Sequence, residues 1–170
     1  MTKETPADLL FEGAVGLYSK VDLATWGDTG NLVPFDSDLK SLGFVFLGDL
    51  LCSALAQGII RAYVNTAQST RAILLVGVKD GALNVFGVFF DSKFPDGGVA
   101  TTTSSRAVKN RPADAVHRKV CSWYGIHDLY RQHEAHLEEL KPLHGQTEPL
   151  GNTLLSVAQS LDSFSVRMNG

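Results

Sequence analysis

Residues Arg71–Ser105 read RAILLVGVKDGALNVFGVFFDSKFPDGGVATTTSS. Three runs rich in β-branched and aromatic residues, Arg71–Lys79, Leu83–Lys93 and Val99–Ser104, are divided only by DGA and PDGG. Proline presets φ while aspartate and glycine tolerate the left-handed region, so turn chemistry alone explains PDGG. Joins this short permit only antiparallel pairing, because a parallel partner needs a crossover of a dozen or more residues. Working toward the N-terminus, Ile59–Asn65 and Phe44–Cys52 add two more β-rich runs through the short joins TAQST and SALAQG. The fold class that follows is α+β: an antiparallel meander of about five strands over residues 44–104, packed with N-terminal and C-terminal helices.

Alternation along the fourth run puts Leu83, Val85 and Phe89 on one side and Phe86, Val88, Phe90 and Phe94 on the other. The third run, AILLVGV, is apolar without alternation. Both faces of the sheet therefore need cover, from the terminal helices or from a second copy of the chain.

The flanks supply candidate helices. Thr5 and Pro6 read as a cap and first turn for Ala7–Glu12, and Asp36 or Ser37 caps a short helix that ends at Gly43. Residues 13–34, with several glycines, carry no clear period. Beyond the meander, Pro112 opens a predicted helix with Val116, Val120 and Trp123 on one stripe. A second is expected from Asp128 to Leu140, stopping before Pro142, and a third from Asn152 or Thr153, with Leu154, Leu155, Val157, Ala158, Leu161 and Phe164 on its apolar face.

At 170 residues, 44% hydrophobic and 19% charged, the chain has the composition of a soluble globule and the length of one domain spanning 1–170. A net charge of −3 argues against a polyanion-binding role, leaving Arg106, Lys109, Arg111, Arg118 and Lys119 as the nearest approach to a basic patch. The N-terminus lacks the apolar core of a signal peptide, and the apolar window 43–60 contains Asp49, Gln57 and three glycines. The expected setting is cytoplasmic, with no membrane, nucleic acid or cofactor partner. Cys52 and Cys121 do not form a secreted disulfide pattern, and Cys121 reads as a small core residue on the helix beside Trp123.

The densest chemical feature is HDLYRQHEAH, residues 127–136. It misses the HExxH zinc-protease signature by one residue, since His133-Glu134 is followed by a histidine at 136 and a leucine at 137. His133 and His136, at i and i+3, are the alternative metal pair, although a site of that kind needs ligands from other helices. Helical geometry places Ile126, Leu129, Tyr130, His133, Leu137 and Leu140 on one stripe with His133 near its middle, and leaves His127 and His136 toward solvent. His133 is thus either a hydrogen-bonded histidine at the core boundary or a base that contacts a ligand. No GxSxG, GxxxxGK[ST] or GxGxxG occurs.

The run ATTTSS likewise has two readings. It is a polar strand at the sheet edge, or a row of hydroxyls in which Thr101 and Thr103, or Thr102 and Ser104, line a pocket beside His133 and Asp91. The candidate ligand-binding residues are accordingly Thr101, Thr102, Thr103 and His133, and the candidate catalytic residues His133, Asp91 and Asp96.

The order of these features resembles a loose group of uncharacterised bacterial α+β proteins. The residues that carry the likeness are Leu42, Gly43, Phe44, Gly48 and Asp49 in LGFxxLGD, Phe94, Asp96 and Gly97 in F-x-DG, Thr101–Thr103, and His133 in the following helix. The resemblance spans roughly residues 38–141 and implies the fold without an activity. Two functions of different kinds remain. One is non-enzymatic binding of a small ligand or protein partner, with a possible homo-oligomer; the other is a hydrolase or isomerase that uses His133 as general base with Asp91 or Asp96 and the threonines.

Overall fold

A computed structural model describes residues 18–52, 58–104 and 116–169, without side chains for 116 and 162–169. Seven strands form one sheet in chain order: β1 (Tyr18–Lys20), β2 (Val45–Cys52), β3 (Gly58–Asn65), β4 (Thr70–Lys79), β5 (Ala82–Lys93), β6 (Val99–Thr103) and β7 (Val116–Val120). All neighbours are antiparallel except β6 and β7, which run parallel. Among the described residues there are three α-helices, α1 (Val33–Ser41), α2 (Ile126–His144) and α3 (Leu154–Asn169), and two short 3-10 turns, Leu23–Thr25 and Gly30–Leu32. The α+β class and the five-strand meander of residues 44–104 are as the sequence indicates. The additional strands flank it on both sides.

Helix α1 starts at Val33, earlier than an Asp36 or Ser37 cap implies, because Pro34 fits its first turn. It stops where expected. Gly43, at φ +89, lets its own N–H reach the Lys40 carbonyl and the Phe44 N–H reach the Leu39 carbonyl, the paired bonds of a Schellman ending. Phe44 thereby enters β2 already packed in the same cluster as Leu39.

Helix α2 buries the whole expected stripe, but His136 is buried as well. It also continues past Pro142 to His144, since a proline in the last turn removes one backbone bond while His144 is held by Asp96 and by stacking on Phe94 at 5.0 Å. Helix α3 begins after Thr153, whose hydroxyl accepts from the Ser156 N–H.

The two sheet faces have different cover. On one, α1 and α2 close a core of Leu32, Leu39, Phe44, Tyr63, Leu74, Phe90, Ile126 and Leu129. On the other, α3 seats Val157 and Ala158 against Leu50, Cys52, Ile60, Ile73 and Phe89. A terminal helix therefore supplies the second cover that the non-alternating strands demand. Strict alternation fails in β5, where a bulge pairs Leu75 with Gly87 but Val76 with Val85. Phe86 is the extra residue and stays 62% exposed, so Leu83 and Val85 share the α2 face with Val88 and Phe90, while Phe89 turns to the α3 face.

Residues 116–120 are strand β7, not helix. Their helical stripe is overridden by the open edge of β6, which they pair from Val99↔Val116 to Thr103↔Val120. Consequently β6 is an interior strand. Its threonines are all buried, and the edge-strand reading of ATTTSS does not hold. Cys121 follows β7, its N–H bonded to the Thr103 carbonyl, and both cysteines are free thiols. The candidate helix at 7–12, the SALAQG turn (apart from Gly58) and Arg106, Lys109 and Arg111 lie outside the described residues. Among the described residues no helix is long and apolar enough to cross a membrane.

Gly48 ties β2 to α3. It follows Leu47, the extra residue of a bulge, has φ +148, and a Cβ there would lie 2.6 Å from Leu154 Cδ2. Gly48→Ala is expected to cost about 2 kcal/mol through backbone strain and displaced Leu154. Urea unfolding of the two proteins measures this, and an unchanged midpoint would show that α3 docks elsewhere.

Candidate functional site

Five polar side chains meet between the sheet and α2. Thr70 on β4, Ser92 on β5 and Thr102 on β6 point to the same face, and α2 lays His133 and His136 over them. His133 is fully buried; its Nδ1 is 2.9 Å from Thr102 Oγ1 and its Nε2 2.9 Å from Ser92 Oγ. Ser92 Oγ lies 3.1 Å from Thr70 Oγ1, and Thr102 Oγ1 lies 3.2 Å from His136 Nδ1.

Each hydroxyl has one proton, which fixes the direction of the chain. Thr70 donates to the Gln68 carbonyl, so it accepts from Ser92. Ser92 then accepts from His133 Nε2–H, leaving Nδ1 to accept from Thr102 and Thr102 to accept from His136 Nδ1–H. Both imidazoles are neutral in this arrangement. Burial, and then the neighbouring His136, push His133 down to about 3; burial and Lys119 lower His136.

A general base needs a free lone pair within reach of a substrate proton. His133 has none, since one nitrogen donates to Ser92 and the other accepts from Thr102. The residues singled out with it are dispersed. Asp91 and Thr101 face the opposite side of the sheet, where the Thr101 hydroxyl donates to Asp91 at 2.7 Å and Arg71 lies 3.6 Å from the same carboxylate. Thr103, two residues on, shares that α3 face with Phe89. Asp96 sits in the β5–β6 turn, accepting from the Gly98 N–H at 2.9 Å and pairing with His144. His133 and His136 share a hydroxyl, and among the described residues no group of three histidine, cysteine or acidic side chains could hold a metal. Only Thr102 joins His133.

A second constellation matches no catalytic motif. Between α1, β2 and β3 lies an open groove of about 580 Å³ lined by Asp36, Lys40, Gly43–Phe46, Arg61 and Tyr63. Arg61 Nε is 3.5 Å from Asp36 Oδ1 and 3.6 Å from Asp49 Oδ1, and its guanidinium carbon lies 4.4 Å from the centre of the Phe46 ring. Phe46 also packs on Tyr63 at 5.5 Å, while Phe46 and Val45 remain 45% and 63% exposed at the rim.

The polar atoms here are poorly matched. Asp36 Oδ1, Asp49 Oδ1, Arg61 Nε and the Tyr63 hydroxyl are all buried without a hydrogen-bond partner. Burial pushes Asp49 up to about 6 against the pull of Arg61, with Asp36 and Asp22 adding to the rise, and burial raises Asp36 too. The sequence carries a signal for this site: Asp49 and Arg61 are the only charges in VFLGDLLC and GIIRAYVN, and they pair across β2 and β3. Comparison with family models, with curated proteins and with solved structures finds no match for the chain.

Proposed function

We propose that the chain is a binding domain that takes a small ligand in the groove between α1, β2 and β3, with His133 as a structural centre and not a general base. The observation that carries this is Tyr63, which lines the groove, is only 2% exposed and leaves its hydroxyl unpartnered beside an ion cluster. Buried polar groups without partners cost about 1–3 kcal/mol each, and ligand sites are where such groups converge on a concavity. The catalytic alternative through His133 has less support, because both of its ring nitrogens are engaged by hydroxyls.

Amide chemical-shift mapping with a mixed fragment library tests the assignment. Shifts confined to residues 36–46 and 61–63 are expected. Shifts gathered instead on Ser92, Thr102 and the residues around His133 would favour the catalytic reading and overturn this one.

A further inference from the structure

The chemistry of the groove selects among ligands. Asp49 feels the carboxylates of Asp36 on α1 and of Asp22, just after β1, and one guanidinium, that of Arg61 on β3. Three negative groups to one positive leave this corner electronegative. Lys40 adds a positive charge at the groove, but it is exposed and its charge is screened by solvent. Asp36 Oδ1 and Asp49 Oδ1 have no hydrogen bond and face Arg61 Nε only at ion-pair distance, 3.5 and 3.6 Å, while the Tyr63 hydroxyl has no hydrogen-bond partner. Arg61 Nε and the Tyr63 O–H are donors in this set, so what it is short of is positive charge, with one guanidinium facing three carboxylates. A primary ammonium brings three N–H donors and one charge, and an anion would meet the same carboxylates as repulsion. Beside the polar corner, Phe46 and Val45 present apolar surface to any carbon chain attached to that ammonium.

Resting on the groove as the ligand seat, we infer that its ligand is a small primary amine, with its ammonium directed to Asp36 and the Tyr63 hydroxyl, Asp49 adding its charge from beside Arg61, and its apolar portion against Phe46 and Val45. Arg61 stays in place as the strut between the two carboxylates. Because an ammonium favours the ionised form of Asp49, binding expels the proton that burial otherwise retains there. Affinity therefore rises with pH through the range in which Asp49 ionises.

Benzylamine, benzyl alcohol and benzoate share one shape and differ in charge, so a titration of the full chain with each, followed by amide shifts, separates the possibilities. Benzylamine is expected to move residues 36–46 and 61–63 while benzoate does not. Its affinity should fall about tenfold on going from about pH 7.5 to about pH 5, and Asp49→Asn should abolish that pH dependence. Tyr63→Phe, which keeps the ring, should weaken benzylamine about tenfold, the order expected for one hydrogen bond to a charged group. If benzoate or benzyl alcohol occupies the groove as well as benzylamine does, the amine assignment is overturned and the groove remains the ligand seat. If none of the three perturbs those residues, the groove itself is the wrong site.

Discussion

Replacing His133 by alanine is expected to lower the free energy of unfolding by about 4 kcal/mol, combining the cavity left by a fully buried ring with the hydroxyls it abandons. The ring is packed beside Phe90, with centroids 6.0 Å apart, and its two nitrogens connect β5 to β6 through Ser92 and Thr102. Removing it strands the Thr102 proton and the Ser92 lone pair in a buried interface. Against a typical domain stability of about 5–15 kcal/mol, the loss brings the protein close to the edge of folding. Urea denaturation followed by circular dichroism measures it. Ser92→Ala alone should cost about 1–2 kcal/mol, and the double variant should cost less than the two single losses together, because the histidine and serine share one bond. A loss below about 1 kcal/mol for His133→Ala would mean that the buried chain is not holding α2 to the sheet.

Acid is expected to produce an effect of the same size. His133 takes up its proton near 6.5 when unfolded and only at about 3 when folded, so between those values the unfolded chain holds the extra proton. Its contribution is complete above about 6.5 and is lost as the pH falls toward 3, amounting to at most about 5 kcal/mol at 1.36 kcal/mol per pKa unit. His136, also lowered, acts in the same direction. Asp49 opposes them. Its carboxyl keeps its proton up to about 6 in the fold but only to 3.8 when unfolded, so its part of the stability falls as the pH rises across that window. The wild-type curve is thus a partial cancellation, and Asp49→Asn should make the acid loss steeper. Urea midpoints at about pH 7.5, 5.5 and 4 for wild type, Asp49→Asn and His133→Gln resolve the two groups, with the His133 variant flattest. A wild-type midpoint that does not move between about pH 7 and 4, together with an unchanged slope for Asp49→Asn, would contradict a neutral, buried His133.

These two results would also separate the roles of the candidate residues. His133 stood at the centre of the apolar stripe of its helix, and that position is legible because 3.6-residue periodicity puts it between Leu129 and Leu137. Its partners are harder to read. Alternation says that Thr102 and Thr101 take opposite faces, yet it does not say which face α2 covers, and that choice sends Asp91 and Thr101 to Arg71 and leaves Thr102 and Ser92 for the histidine. His136 was placed toward solvent by its angle on the helix and is buried, since a neighbouring hydroxyl and the strand β7 reach around to meet it.

The groove was out of reach for a different reason. Asp36, Asp49 and Arg61 belong to three elements, and although Asp49 closes LGFxxLGD, no motif links the three. Lone charges inside apolar strands were visible. Their convergence depended on the β2–β3 register and on where α1 ends.

By itself the sequence determined the meander, because turn chemistry and β-propensity act over a few residues and short joins permit a single way of pairing. It also determined the buried stripe of α2 and the end of α1 at Gly43, which are likewise local. Tertiary structure alone decided the rest. A free edge on β6 drew residues 116–120 out of their helical pattern into a parallel seventh strand, and that pairing turned ATTTSS from a rim into an interior strand. A bulge opposite Leu75 reversed the faces of β5, and the docking of α2 chose which hydroxyls His133 would bind. Such outcomes rest on contacts between residues far apart in the chain, whose energies do not exist until the sheet has formed.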